Sequence, residues 1–343
     1  MKDTSIFLRA CQREETEYTP VWLMRQAGRF LKEYRALRRR FPFLTLCKTP
    51  ELAAQVTLLP IERLKVDAAI IFADILLPLE PMGINLEFTK GEGPRIHNPP
   101  RSRPEVQRLR AINAEEELPF VMEAIRMVCQ ELKGKIPLIG FSGAPFTLAS
   151  YIIEGGGSRD FVRTKALMYK DPPCWHLLME KLSEVIISYL NAQIRSGVQA
   201  VQLFDSWAGI LSPNDYEEFV LPHNQRVFRE LSAGVPTIHF ATGTSGLLEL
   251  MKEAGGDIIG IDWRIDLGEA WKRLGYEVGI QGNLDPSVLL SSPKRIQRYV
   301  KEILDAAKGR PGHIFNLGHG VLPQTPEENV IAMVEAVHRL SRR

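Results

Sequence analysis

Eight short apolar segments recur along the 343 residues, each closed by polar or turn-forming residues and separated from the next by a longer stretch with helical periodicity. A strand laid parallel to its predecessor needs a long crossover, most often a helix, so this alternation predicts repeated βα units on a parallel sheet. The segments are 21–24, 68–72, 137–141, 200–204, 236–240, 258–261, 277–280 and 313–316. Eight is the number that closes a (β/α)8 barrel, whose usual length is roughly 250 residues. The excess falls after the second strand, where Lys90-Gly91-Glu92-Gly93-Pro94 and Asn98-Pro99-Pro100 occur, and after the third, where Gly155-Gly156-Gly157 occurs. The expectation is an α/β fold: a single (β/α)8 TIM barrel over 1–343 with long insertions after strands 2 and 3. Helices are expected at 114–132, 175–196, 214–232, 293–307 and 326–340, each with an i, i+3, i+4 apolar stripe. A doubly wound open sheet would announce a dinucleotide site by GxGxxG after its first strand. Neither Gly91-Glu92-Gly93 nor Gly155-Gly156-Gly157 has that context, and both read as loop or capping glycines.

With 43 basic and 41 acidic residues, net charge +2, the whole surface offers no argument for nucleic acid or an anionic membrane. Any anion site is therefore local. Cys11, Cys47, Cys129 and Cys174 are scattered, which argues against a disulfide scaffold or structural zinc and points to a reducing cytoplasm. The N-terminus, polar again by Gln12-Arg13-Glu14-Glu15, reads as lacking a signal-peptide apolar core. The most apolar run, 66–79, is broken by Asp67 and Asp74 and is too short to span a bilayer.

Barrel chemistry sits at the C-terminal ends of the strands. The first segment leads into Arg25 and Arg29, where strand is expected to give way to helix, and on to Arg38, Arg39 and Arg40. Two guanidiniums at such a junction suit a polyanionic ligand, whereas Arg39 and Arg40 read as solvated flanks of a helix with Phe30, Tyr34, Leu37 and Phe41 inward. The second segment delivers Asp74 within an apolar collar of Phe72, Ile75 and Leu76, and the alternative role of a cap is weakened by nearby Pro78. The third opens into Ser142-Gly143-Ala144-Pro145-Phe146-Thr147 and on to Tyr151, which periodicity alone would also allow as a core aromatic. The remaining ends supply Asp205, Ser206 and Trp207; His239; Asp262 and Arg264, readable as a rim ion pair; Gln281, Gly282, Asn283 and Asp285; and Asn316-Leu317-Gly318-His319-Gly320. His319 between two glycines suits a mouth-facing imidazole, while His176, His223, His313 and His338 read as helix-surface or core residues.

Absences narrow the chemistry. No lysine follows a strand, which disfavours Schiff-base catalysis. No His/Cys or carboxylate cluster suits a metal, and Ser206, Asp205 and His319 make a poor triad because two members would be chain neighbours. The expectation is a mouth of arginines, one desolvated carboxylate, hydroxyls and a histidine, working without metal or cofactor.

The motifs Pro20-Val21-Trp22-Leu23-Met24-Arg25-Gln26-Ala27-Gly28-Arg29, Phe72-Ala73-Asp74-Ile75-Leu76, Gly140-Phe141-Ser142-Gly143-Ala144-Pro145-Phe146-Thr147 and Asn316-Leu317-Gly318-His319-Gly320 closely resemble those of the uroporphyrinogen decarboxylase family, end to end. The resemblance implies a cytoplasmic homodimer that converts uroporphyrinogen III to coproporphyrinogen III in porphyrin and heme synthesis, removing four acetate carboxyls without a cofactor. It implies that Asp74 meets the pyrrole N–H groups and stabilises positive charge developing on the ring. Arg25 and Arg29 would bind carboxylate arms and assist proton delivery, a task for which a guanidinium is a weak acid. Gln26, Ala27, Gly28, Arg38, Tyr151, Ser206 and His319 match substrate-contacting positions. The rival within the superfamily is a methyltransferase of the corrinoid or methionine-forming type, which binds zinc through His and Cys; here Ala241 stands where its thiolate is needed. A rival of another class is a tetrapyrrole carrier without catalysis.

Overall fold

The computed structural model describes residues 5–89 and 93–343. The N-terminal residues 1–4 and the glycine-containing stretch 90–92 lie outside the described residues. Nine strands are present among the described residues: β1 (Ala69–Ile70), β2 (Leu86–Thr89), β3 (Gly93–Ile96), β4 (Leu138–Gly143), β5 (Ala200–Asp205), β6 (Thr237–Ala241), β7 (Ile258–Gly260), β8 (Gly279–Leu284) and β9 (His313–Leu317). Seven of them form one curled parallel sheet in the order β1-β4-β5-β6-β7-β8-β9, and β2 and β3 form a separate antiparallel hairpin between β1 and β4.

The expected first strand, 21–24, is reduced to a single bridge at Val21, parallel to Phe315. It nevertheless touches both edges of the sheet. Phe315 N donates to Pro20 O at 2.8 Å, and Asp67 N, just before β1, donates to Val21 O at 2.8 Å. The ladder stops there because side chains take over its partners. Asp67 Oδ2 accepts from Val21 N (2.8 Å), Gln26 Oε1 from Leu23 N (3.1 Å), and Asn316 Oδ1 from Met24 N (3.2 Å). Each of these three N–H groups is satisfied by a side chain rather than by a neighbouring strand, whereas Trp22 N reaches Phe315 O at 3.4 Å.

Every second side chain points inward. Trp22, Ile139, Ala200, Ile238, Ile258 and Ile314 form one buried cluster, and Phe7 and Leu8 of the helix Ile6–Cys11 join it from the side where the strands begin. Burying side chains of that kind contributes about 1.5–3 kcal/mol each. That end is filled, so the opening lies where the strands finish. Two larger clusters bury the outer faces under the helices.

Three expectations need correction. The expected strand 277–280 runs instead from Gly279 to Leu284, so Gln281 and Asn283 lie within the sheet rather than beyond it. Gln281 points inward and accepts from Trp22 Nε1 (2.9 Å) while donating to Gln202 Oε1 (2.9 Å). The expected helix 114–132 is two, Ala114–Glu117 and Pro119–Leu132, because Leu118 precedes a proline and leaves the helical region (φ −127°). The expected helix 214–232 is also two, Pro213–Phe219 and Leu221–Glu230, broken before Pro222, which has no N–H to continue the ladder.

Candidate active site

Arg25 sits on a left-handed turn, φ 60°, a conformation that costs a residue with a Cβ about 1–2 kcal/mol and persists only where its surroundings enforce it. They do so on both sides. Asn316 holds Met24 N, Val321 N donates to Met24 O (2.9 Å), and Gln26, wholly buried, spends its oxygen on Leu23 N and its Nε2 on Ala68 O (3.1 Å). Gly28 is required because a Cβ there would lie 2.6 Å from Arg25 O. The side chain of Arg25 lies across Gly320, where a Cβ would come within 2.4 Å of its Cδ. Gln26 and Gly28 thus shape the turn that presents Arg25. Ala27 is half-buried, and Arg29 is exposed. Sequence reasoning placed both arginines where strand meets helix; the helix begins only at Lys32, and the whole motif is loop.

Arg38 lies on that helix, donating to Phe41 O (2.7 Å) with its guanidinium 5.6 Å from the centre of the Phe43 ring. Arg39 and Arg40 are exposed, as solvated flanks should be. Among the described residues none of Arg25, Arg29 and Arg38 is ion-paired to a carboxylate. Arg29 and Arg38 both act on Tyr34, so their charges lie near one another; a guanidinium without a carboxylate partner is suited to an anionic ligand.

Asp74 follows β1 and lies close enough to Arg25 to feel its charge. Its carboxyl remains reachable by water yet is crowded by protein, and this desolvation raises its pKa from 3.8 to about 6, against the opposing pull of Leu76 N and Arg25. Leu76 N donates to its Oδ1 at 2.9 Å, so one oxygen does serve the turn leading to the short helix Leu77–Leu79. No side-chain donor meets the other among the described residues. Tyr151 stands close enough for the Asp74 charge to help burial push its phenol up to about 12, and its ring meets Trp207 edge-on at 4.9 Å. Cys47 and Tyr189 lie within reach of the same charge, which adds to burial in pushing both of them up.

His319 accepts from Gly320 N at Nδ1 (2.7 Å), which fixes the tautomer that carries hydrogen on Nε2. Burial, then Arg25, lowers its pKa to about 4, so near neutrality it is an uncharged donor. Arg25, His319 and Gly320 line a cleft of about 290 Å³ together with Trp263 and Asp285. Asp285 is occupied by Ser287 N (2.8 Å). Ser206 is half-buried after β5, its carbonyl accepting from Thr242 Oγ1 (2.6 Å).

Other strand-end groups are turned away. His239 points outward, its Nδ1 3.4 Å from Met251 O and its ring against Phe228. Asp262 is 3% exposed and pairs with Arg264, as the rim reading expects, while also accepting from Gly243 N (2.7 Å). Asp205 is fully buried, and desolvation raises it to about 6; Thr147 Oγ1 (3.0 Å) and Asn224 Nδ2 (3.1 Å) donate to it. Asn224, sequence-distant and unmarked by any motif, was invisible to sequence reasoning. Asp205→Ala leaves the Thr147 hydroxyl and one N–H of Asn224, whose Nδ2 also donates to Tyr216 OH (3.1 Å), without their acceptor, and is expected to lower unfolding stability by about 2–3 kcal/mol, measured by denaturant titration, with Asp205→Asn recovering most of it. The described residues contain no group of three or more potential metal ligands.

A family model described as Uroporphyrinogen decarboxylase (URO-D) matches residues 2–340. The uroporphyrinogen decarboxylase of Carboxydothermus hydrogenoformans is 57% identical over 342 residues, covering 99% of this chain and 97% of that protein. That of Sorangium cellulosum is 56% identical over 338 residues, covering 98% and 96%. Among solved structures, a methyltransferase from Methanosarcina mazei shares the fold with a TM-score of 0.80 at 19% identity, covering 97% of each chain.

Proposed function

The chain belongs to the uroporphyrinogen decarboxylase family, and from that premise we propose that it removes the four acetate carboxyls of uroporphyrinogen III, giving coproporphyrinogen III, through the mouth built around Asp74 and Arg25. The observation that carries the reading is the pairing of a desolvated, incompletely hydrogen-bonded carboxylate with arginines that have no carboxylate of their own. A substrate with eight carboxylates supplies what the arginines lack, and its pyrrole N–H groups supply what Asp74 lacks.

The chemistry balances without a cofactor. A proton added to the pyrrole ring beside the acetate-bearing carbon makes the ring cationic. The bond pair between the arm's methylene and its carboxylate then moves into the ring as carbon dioxide leaves. Protonation of the methylene and loss of the ring proton yield a methyl group, so each arm consumes one proton. Asp74, ionised and desolvated, stabilises the cationic ring more than the neutral one, which is what lowers the barrier. Arg25, Arg29 and Arg38 hold carboxylate arms, His319 Nε2 and the Tyr151 and Ser206 hydroxyls donate to them, and the 25–29 turn seats the substrate. Arg29→Ala is expected to raise KM about tenfold with kcat little changed, because an exposed guanidinium acts in ground and transition states alike.

The curled sheet and the 20–22 segment are read as one (β/α)8 barrel domain, with the β2–β3 hairpin and the segment around Gly155 as its insertions. A homodimer in the cytoplasm is proposed with it. Sedimentation should return twice the 38.8 kDa chain mass.

The decisive experiment is anaerobic incubation of chelator-treated protein with uroporphyrinogen III, followed by oxidation and chromatography. Stepwise hepta- to tetracarboxylate products are expected. Binding without loss of any carboxyl group would sink the enzyme reading in favour of a carrier, and activity that depends on added zinc would sink the metal-free mechanism.

A further inference from the structure

Trp22, Trp175 and Trp271 are completely buried, whereas Trp263 keeps 37% of its surface exposed. Its exposed part borders the cleft that Arg25 and His319 also line. This indole differs from a singly exposed apolar side chain in that it is held in a fixed pose beside the cleft. The Arg264 guanidinium covers its ring at 4.4 Å, and Arg264 is in turn ion-paired with the buried Asp262. Asp262 is fixed by Gly243 N (2.7 Å) and Arg264 N (2.9 Å). Beneath the indole Gly318 leaves the necessary room: a Cβ there would lie 2.7 Å from Trp263 Cε3. The aromatic wall is therefore ordered before any ligand arrives, so little side-chain freedom is lost on binding.

Resting on the decarboxylase reading of the mouth, we propose that Trp263 is a substrate-binding wall, taking the face of one pyrrole ring while Arg25 and His319 hold a carboxylate arm of that same ring. The dimensions suit this division. A cleft of about 290 Å³ accommodates one substituted ring and not the whole macrocycle. The electronics suit it as well. A guanidinium over one side of the indole draws electron density from it, which favours contact between the remaining surface and an electron-rich pyrrole. His319 Nε2–H and the Arg25 fork are both donors, so an arm held between them fixes the ring's rotation against the wall.

The test uses the full chain under anaerobic conditions. Trp263→Leu is expected to raise KM for uroporphyrinogen III about tenfold with kcat within about twofold of the parent, and Trp263→Phe to recover most of the difference. Titration with coproporphyrinogen III should quench part of the tryptophan emission of the parent, and that part should be missing from Trp263→Leu. Melting temperatures of both variants should stay close to the parent's, because Asp262 keeps its bonds from Gly243 N and Arg264 N without the indole. An unchanged KM and an unchanged quench in Trp263→Leu would overturn the assignment, as would a fall in kcat at constant KM. Should the parent protein remove no carboxyl group, the decarboxylase reading fails; a Trp263-dependent quench by coproporphyrinogen III would still support the wall.

Discussion

Asp74→Asn should lower kcat by about three orders of magnitude and, at pH 8, make the protein more stable than the parent. Asparagine keeps the shape and keeps an acceptor for Leu76 N, so only the charge is removed. A single preorganised group facing developing charge is worth roughly 10²–10³ in rate, and the four successive decarboxylations all draw on this one. The stability gain follows from linkage. Asp74 has its carboxyl pKa raised from 3.8 to about 6 by burial, so the folded chain binds more protons than the unfolded one between these values. The associated stability is present below pH 4 and lost as pH rises through about 6. The asparagine variant has no such loss. Its advantage at pH 8, discounted for the carboxyl's residual contact with water, is about 1–2 kcal/mol, and it should vanish at pH 4. The same pKa should appear as the acid limb of kcat/KM near pH 6, since the carboxylate works only when ionised. His319, already neutral above about pH 4, should contribute no limb there. Thermal melts at the two pH values, with the pH–rate profile, check all of this. A variant less stable than the parent at both values would mean that Asp74 serves the fold.

Gly320→Ala tests the other half of the mouth without touching a charged residue. The added methyl would stand 2.4 Å from Arg25 Cδ and 2.6 Å from its Cγ. The backbone of Arg25 cannot yield, because Asn316, Val321 and the close approach of Gly28 fix its left-handed turn. The guanidinium must therefore leave the cleft. Losing one charge-assisted carboxylate contact costs up to about 3 kcal/mol, so kcat/KM should fall about 10²-fold. Arg25→Ala should fall by a similar amount, and the double variant should be no worse than either single one, because the methyl acts only through Arg25. Additive losses in the double variant would show that Gly320 has a role of its own.

Periodicity and punctuation were enough to locate the seven strands of the parallel sheet, to within a few residues, and the long helices between them, since alternation of apolar runs is imposed by burial whatever the final contacts. The same reading drew Arg25, Asp74 and His319 toward one mouth, because in a parallel sheet every strand end faces the same way. It misjudged what long-range contacts decide. The first strand shrank to Val21 because Asp67, Gln26 and Asn316, distant in sequence or outside the strand, captured its N–H groups. His239 and Asp205 turned away from the opening because a pleat sends neighbouring residues to opposite faces, and a one-residue shift reverses them. Thus the chain's local pattern determined the kind of fold and which ends of its strands carry chemistry. The collar of Phe72, Ile75 and Leu76 already marked Asp74 as desolvated, but only the tertiary structure decided how far its pKa rises, that Gln26 shapes the Arg25 turn with a wholly buried side chain, and that Trp263 borders the cleft. The extent of desolvation and the orientation of a side chain depend on everything packed around the group, most of it distant in sequence.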